Sequence, residues 1–142
     1  MATIQPTYTA SATATGDGRM GHSRSSDGVL DLDLAVPKEM GGPGGPLPNP
    51  EELFAAGYAA CFHSALKAAA RQQKITLTDT AITVDVGIGP NGAGSYGLAI
   101  TIEAELPSVD ETTARQLLDA AHQICPYSNA TRGNIDVHLT LA

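Results

Sequence analysis

The stretch AAGYAACFHSALKAAA, residues 55–70, limits what this chain can fold into more than any other. Alanine is the strongest helix former, and the run holds no proline and no β-branched residue. Its flanks agree. Asn49 is a plausible N-cap, Pro50 suits the first helical position, and Glu51 and Glu52 fall in the first turn. Lys67, Arg71 and Lys74 lie toward the far end, so charge complements the dipole at both termini of a helix of about 23 residues.

Everything around that helix reads with a period of two. PTYTASATATG predicts a strand from about residue 6 to 15, GDGRMGHSRSSDG carries turn signals at both ends, and GVLDLDLAV alternates as a third short strand. PKEMGGPGGPLPNP is too rich in glycine and proline for helix or strand and is expected to form an ordered loop or lid. ITLTDTAITVDVGIG and YGLAITIEAELP are two long alternating strands joined through the hairpin signal PNGAGS. Ser108 and Glu111 have capping-box spacing ahead of a second helix, DETTARQLLDAAHQIC, which Pro126 ends; NIDVHLTLA closes as a strand. The expectation is an α+β fold with mostly antiparallel sheet and two main helices. No repeat or linker divides residues 1–142, so one domain is expected.

A net charge of −7 argues against nucleic acid or an anionic membrane surface as partner. No run reaches the 18 or so apolar residues of a membrane span, and the first residues lack the pattern of a signal peptide, which points to the cytoplasm. In that compartment a structural disulfide is improbable, so two cysteines, Cys61 and Cys125, turn attention to thiol chemistry. Cys61 lies in mid-helix, too far from the positive end for the dipole to favour a thiolate. As a nucleophile it needs a cation or base from elsewhere, with Arg19 in GDGRMG the first candidate and Arg24 its rival. Cys125 sits at the C-terminal, negative end of its helix and suits a second thiol better than a first nucleophile. The competing reading is that both are small core residues.

His63 is two positions from Cys61 and on another face of the helix, so a packing role is expected. His122 and Cys125 have a spacing that can ligate metal, but His22 and His138 are scattered and no metal site is expected. Phe54, Tyr58 and Phe62 flank Cys61 and are candidates for an apolar substrate pocket, Phe54 lying on the same helical face seven positions earlier. Tyr127 and Asn129 read as loop-shaping residues, and Asp31 and Asp33 as a solvated strand face.

Two longer motifs carry a resemblance. NPEELFAAGYAACFHSAL and CPYSNATRGNIDV closely resemble the paired cysteine motifs of the organic hydroperoxide resistance proteins, in the wider superfamily that includes the osmotically inducible protein C. DGVLDLDLAVPKEMGGPGGP also looks like that family, and the order of elements matches over nearly the whole chain. The resemblance implies a thiol peroxidase with no metal or prosthetic group. By position Cys61 matches the peroxidatic cysteine and Cys125 the resolving one; Arg19 matches the family's active-site arginine and Glu51 its glutamate. It further implies an organic hydroperoxide as substrate, a sulfenic acid at Cys61 resolved to a 61–125 disulfide, a dihydrolipoyl-type reductant and an intertwined homodimer. Ten residues of one helix separate Glu51 from Cys61 by about 15 Å, so two such helices crossing antiparallel near Ala56 and Gly57 would set Glu51 of one copy beside Cys61 of the other. A redox-sensing or ligand-binding module without turnover, and a structural protein with inert thiols, are the other function classes.

Overall fold

The computed structural model describes residues 3–142 and resolves into two compact units that divide at Pro50. The division falls where the glycine- and proline-rich segment 37–50 gives way to the alanine-rich helix, a composition change that reads in the sequence as a loop and not as a boundary.

The first unit is a three-stranded antiparallel meander of β1 (Ala12–Thr15), β2 (His22–Ser25) and β3 (Asp31–Asp33), in the order β1-β2-β3. Thr15 pairs with His22 across the first connection, and His22 pairs with Asp33 across the second. The first connection turns through the 3-10 segment Gly18–Met20 and closes on Gly21, where a Cβ would lie 2.3 Å from the Thr15 carbonyl oxygen. The second is pinned by Asp27, whose Oδ1 accepts from the Ser25 hydroxyl at 2.6 Å and the Val29 N–H at 3.0 Å. The strand expected over 6–15 is realised only at 12–15. β2 is four residues long, so the register runs out at Ala12 opposite Ser25. The glycine-proline segment is ordered as expected: the Ala35 N–H donates to the Pro48 carbonyl at 3.1 Å and the Gly44 N–H to the Val36 carbonyl at 3.0 Å.

The second unit opens with α1 (Pro50–Gln72), followed by β4 (Ala81–Pro90), β5 (Tyr96–Glu105), α2 (Glu111–Ile124), the short α3 (Pro126–Thr131) and β6 (Val137–Leu141). α1 ends in a Schellman pattern, with the Ile75 N–H reaching the Ala70 carbonyl and Lys74 taking the left-handed conformation at φ 56°. Ile100, Ile102 and Ala104 alternate on one face of β5 and are buried. They join a single cluster with Phe62, Leu66 and Ala69 of α1 and Leu117, Leu118 and Ala121 of α2, spaced as helix faces require.

Two expectations are corrected here. The sheet β4-β5-β6 is mixed, since β6 runs parallel to β5 with Ile102 opposite Leu139. A strand re-entering after two helices has crossed over the sheet, which is the connection a parallel pair requires. The N-cap of α2 is Asp110, not Ser108. Asp110 Oδ1 accepts from the Thr113 N–H at 2.7 Å, while Ser108 Oγ accepts from the Thr78 N–H at 3.2 Å. Asp110 wins because its side chain stands three residues before that N–H, in extended backbone, as a cap must.

Candidate active site

Cys61 lies halfway along α1 and is half-buried; Cys125 is fully buried at the junction of α2 and α3. The two sulfurs are 3.4 Å apart, in hydrogen-bond contact. The junction itself is fixed by Pro126. The Cys125 N–H makes the last α2 bond, to the Ala121 carbonyl at 2.8 Å, and its carbonyl accepts the first α3 bond from the Asn129 N–H at 3.0 Å. Proline at the first position of a helix has no N–H to satisfy, and the residue before it is forced into extended backbone, as Cys125 is at ψ 122°. Cys125 therefore stands at the end of one helix and the start of another. It thus adjoins the positive end of α3 as well as the negative end of α2, where a negative end alone was expected.

The Cys61 thiol is pushed above its ordinary range, chiefly by burial. A hydrogen bond from the Tyr127 backbone N–H to the sulfur works the other way, and the neighbouring Cys125 thiol adds to the upward push. Tyr127 reaches this place because Gly57 leaves room for it. A Cβ on Gly57 would lie 3.1 Å from the Tyr127 hydroxyl oxygen and 3.3 Å from Cε2. The open side of Gly57 is thus covered by a ring of the same chain.

Tyr127 completes an aromatic triangle with Phe54 and Tyr58, with ring centroids 6.2 Å from Phe54 and 5.6 Å from Tyr58. Of the three aromatics expected at a substrate, only Phe54 keeps exposed surface. Tyr58 and Phe62 are fully buried, because both fall on the α1 face that packs on the sheet and α2. The Tyr58 hydroxyl is committed inside the unit, at 2.8 Å from Ser128 Oγ and 3.2 Å from Thr131 Oγ1. His122 Nδ1 lies 2.8 Å from the same Ser128 oxygen, and its imidazole is pushed below the ordinary value first by burial and then by Arg132. His63 is half-buried against Thr80, Nε2 to Oγ1 at 2.8 Å, with its basicity lowered by burial and by Lys67.

Glu51 stands in the first turn of α1, ten positions before Cys61, so the helix itself separates them by about 15 Å. Arg19 lies in the 3-10 turn of the first unit. Arg24 is on β2, its Nε 4.0 Å from Asp31. Among the described residues no group of three or more His, Cys, Asp or Glu is arranged to hold a metal ion, and no helix is long and apolar enough to cross a membrane. The sequence reading missed the Tyr127 N–H and Ser128. The signal for both was Cys-Pro, which starts a helix as readily as it stops one.

The profile of the OsmC-like protein family matches residues 42–140. An organic hydroperoxide resistance protein of Xanthomonas axonopodis pv. citri is 54% identical over 136 residues, spanning 95% of this chain and 94% of that one. The organic hydroperoxide resistance protein OhrB of Bacillus subtilis is 45% identical over 137 residues, 94% of this chain and 97% of its own. Among solved structures, an organic hydroperoxide resistance protein of Legionella pneumophila superposes with a TM-score of 0.92 at 46% identity, over 97% of this chain and 99% of that one. With two cysteine sulfurs 3.4 Å apart in this fold, and relatives of this similarity over nearly its whole length, the chain belongs to the OsmC-like family, on its organic hydroperoxide resistance side.

Proposed function

We propose that the protein is a cysteine-based peroxidase that reduces organic hydroperoxides to alcohols. The observation that carries this reading is the 3.4 Å separation of Cys61 and Cys125, one sulfur partly exposed and the other buried directly behind it. The Cys61 thiolate attacks the distal peroxide oxygen and the O–O bond breaks. The sulfur loses two electrons and becomes a sulfenic acid, while the alkoxide takes a proton and leaves as alcohol. Cys125 then attacks the sulfenic sulfur; the S–O bond breaks, water leaves and a disulfide forms. A dithiol of the dihydrolipoyl type returns both cysteines to thiols and departs as its own disulfide.

Burial opposes the thiolate at Cys61, and the one Tyr127 N–H offsets that only in part, so the reading requires a cation. Arg19 is assigned that part, and Glu51 the part of orienting it as an ion pair, both on the sequence motifs. Because Glu51 is about 15 Å from Cys61 along one helix, the reading includes a homodimer in which two α1 helices cross near Ala56. Ala56, Ala60 and Ser64 form an exposed small-sided stripe that permits such an approach. Phe54 is assigned to the apolar tail of the peroxide. A cytoplasmic location goes with the reading, since the reductant and both free thiols belong to a reducing compartment.

The test is steady-state reduction of cumene hydroperoxide with dihydrolipoamide as donor, beside hydrogen peroxide and a Cys61→Ser variant. Faster turnover of the organic peroxide and silence in the variant are expected. Turnover no greater than that of the variant, with Cys61 still open to alkylation in the folded protein, would leave a redox sensor instead.

A further inference from the structure

Behind Cys125, three polar side chains from three different elements meet at one oxygen, and the chemistry above uses none of them. Ser128 Oγ on α3 contacts the Tyr58 hydroxyl of α1 and Nδ1 of His122 of α2, each at 2.8 Å. Ser128 and Tyr58 are fully buried, and no buried side-chain nitrogen or oxygen among the described residues lacks a partner. A serine hydroxyl has one donor and two acceptor sites, so it can serve both neighbours at once. Placed in a dry interior, such a junction fixes geometry, since loosening either bond leaves a buried polar group unsatisfied.

Its location relative to the two sulfurs is systematic. His122 is three positions before Cys125 on α2, Ser128 three positions after it on α3, and Tyr58 three positions before Cys61 on α1. One helical turn from each sulfur, the helix that carries Cys61 is therefore tied to both helices that meet at Cys125. Apolar packing of Phe62 and Leu66 against the Leu117 and Leu118 side holds α1 to α2, and the polar junction adds a directional tie that also reaches α3.

We propose that Ser128 is a positioning residue for the second chemical step. It ties α1 to the α2–α3 corner and so holds the Cys125 sulfur at attacking distance from Cys61. This rests on the peroxidase reading for its biological purpose, but not for its geometry. The step it serves is balanced within the protein: the S–S bond forms, the S–O bond of the Cys61 sulfenic acid breaks, and the oxygen leaves as water with the Cys125 proton. A separation of 3.4 Å is already that of a near-attack arrangement, about 3–3.5 Å, and a misplacement of about 1 Å can cost on the order of a hundredfold in rate.

The experiment is a single turnover of the reduced protein with one equivalent of cumene hydroperoxide. Sulfenic acid is followed by a 1,3-dione trap and the disulfide by loss of free thiol. Ser128→Ala is expected to oxidise Cys61 within about twofold of wild type and to close the disulfide at least about tenfold more slowly, so that the sulfenic acid accumulates. Tyr58→Phe cuts the α1 end of the tie while keeping the ring, and is expected to slow closure in the same way; it carries the test if Ser128→Ala does not fold. Thr131→Val removes the longer contact of the Tyr58 hydroxyl, at 3.2 Å, and leaves both 2.8 Å bonds of Ser128, so closure should stay within about twofold of wild type. Wild-type closure in Ser128→Ala, or equal slowing in Thr131→Val, overturns the proposal. Diamide, which oxidises dithiols directly, separates the two claims. If peroxide oxidises nothing but diamide closes the wild-type disulfide at least about tenfold faster than that of Ser128→Ala, the peroxidase reading falls and the tie stands. Equal diamide rates sink the tie.

Discussion

The two units of this chain are held together by different physics. In the second unit, one hydrophobic cluster spans both main helices and the sheet, and the polar groups inside it are bonded to one another. In the first, all four residues of β1 are exposed, and the visible ties across β2 and β3 are charged and wet. His22 bridges Asp33 through Nδ1 at 2.7 Å and Asp31 through Nε2 at 2.5 Å, with Arg24 4.0 Å from the same Asp31. Buried packing is insensitive to salt and fixes positions; exposed ion pairs are individually weak and answer to pH and ionic strength. The two cysteines sit in the unit where positions are fixed.

The sharpest way to break that contrast is to remove core volume. Leu66 is fully buried in the second unit, and Leu66→Ala should cost about 2–5 kcal/mol in denaturant unfolding. Leu32→Ala, at a half-buried position of β3, should cost a small fraction of that. Comparable losses would mean that the first unit is packed as tightly as the second.

A smaller effect tests how finely the cysteine environment is placed. Gly57→Ala gains helix propensity, about 0.5–1 kcal/mol, but its Cβ must displace the Tyr127 ring, and overpacking of this kind costs about 1–3 kcal/mol. A net loss of up to about 2 kcal/mol is expected. More telling is the thiol: moving Tyr127 weakens the N–H that favours the thiolate, so alkylation of Cys61 by iodoacetamide at neutral pH should slow. Unchanged alkylation in a stabilised variant would show that the Tyr127 side chain yields without moving its backbone.

How far the sequence foretold these features follows from how local each one is. The bounds of α1 were legible because propensity, Pro50, the acidic first turn and the basic end all agree within one segment. The β4–β5 hairpin was legible from alternation and the Asn91-centred turn, whose side chain does accept from the Ala93 and Ser95 N–H groups. The direction of β6 was not, since parallel pairing is decided by where α2 and α3 return the chain. At the site, the motifs named both cysteines, but Ser128 reads in sequence as an ordinary loop serine. Its importance arises from two residues 6 and 70 positions away that only the fold brings to it. The burial of Tyr58 and Phe62 was hidden for a related reason: a helix whose neighbours are mostly alanine does not announce which face is buried.

The smallest effect is the most selective, because histidines in the two units respond to pH with opposite signs. His22 is raised above its ordinary 6.5 by hydrogen bonds to Asp33 and then Asp31, so the fold favours its protonated form. The stabilisation it gives is complete below 6.5 and is lost as pH rises through the higher folded value. His122 is lowered below 6.5 by burial and Arg132, so the fold favours its neutral form. Its contribution is present above 6.5 and is lost as pH falls through the lower folded value. Amide hydrogen exchange, corrected for intrinsic rates, should therefore show β2 and β3 losing protection toward alkaline pH and α3 losing it toward acid. His22→Gln should flatten the first trend alone. High salt should weaken it too, whereas α3, whose Ser128 is bonded to the half-buried His122 of α2, should respond little. If both regions lost protection on the same side of neutrality, the charged ties of the first unit would not be what holds β2 to β3.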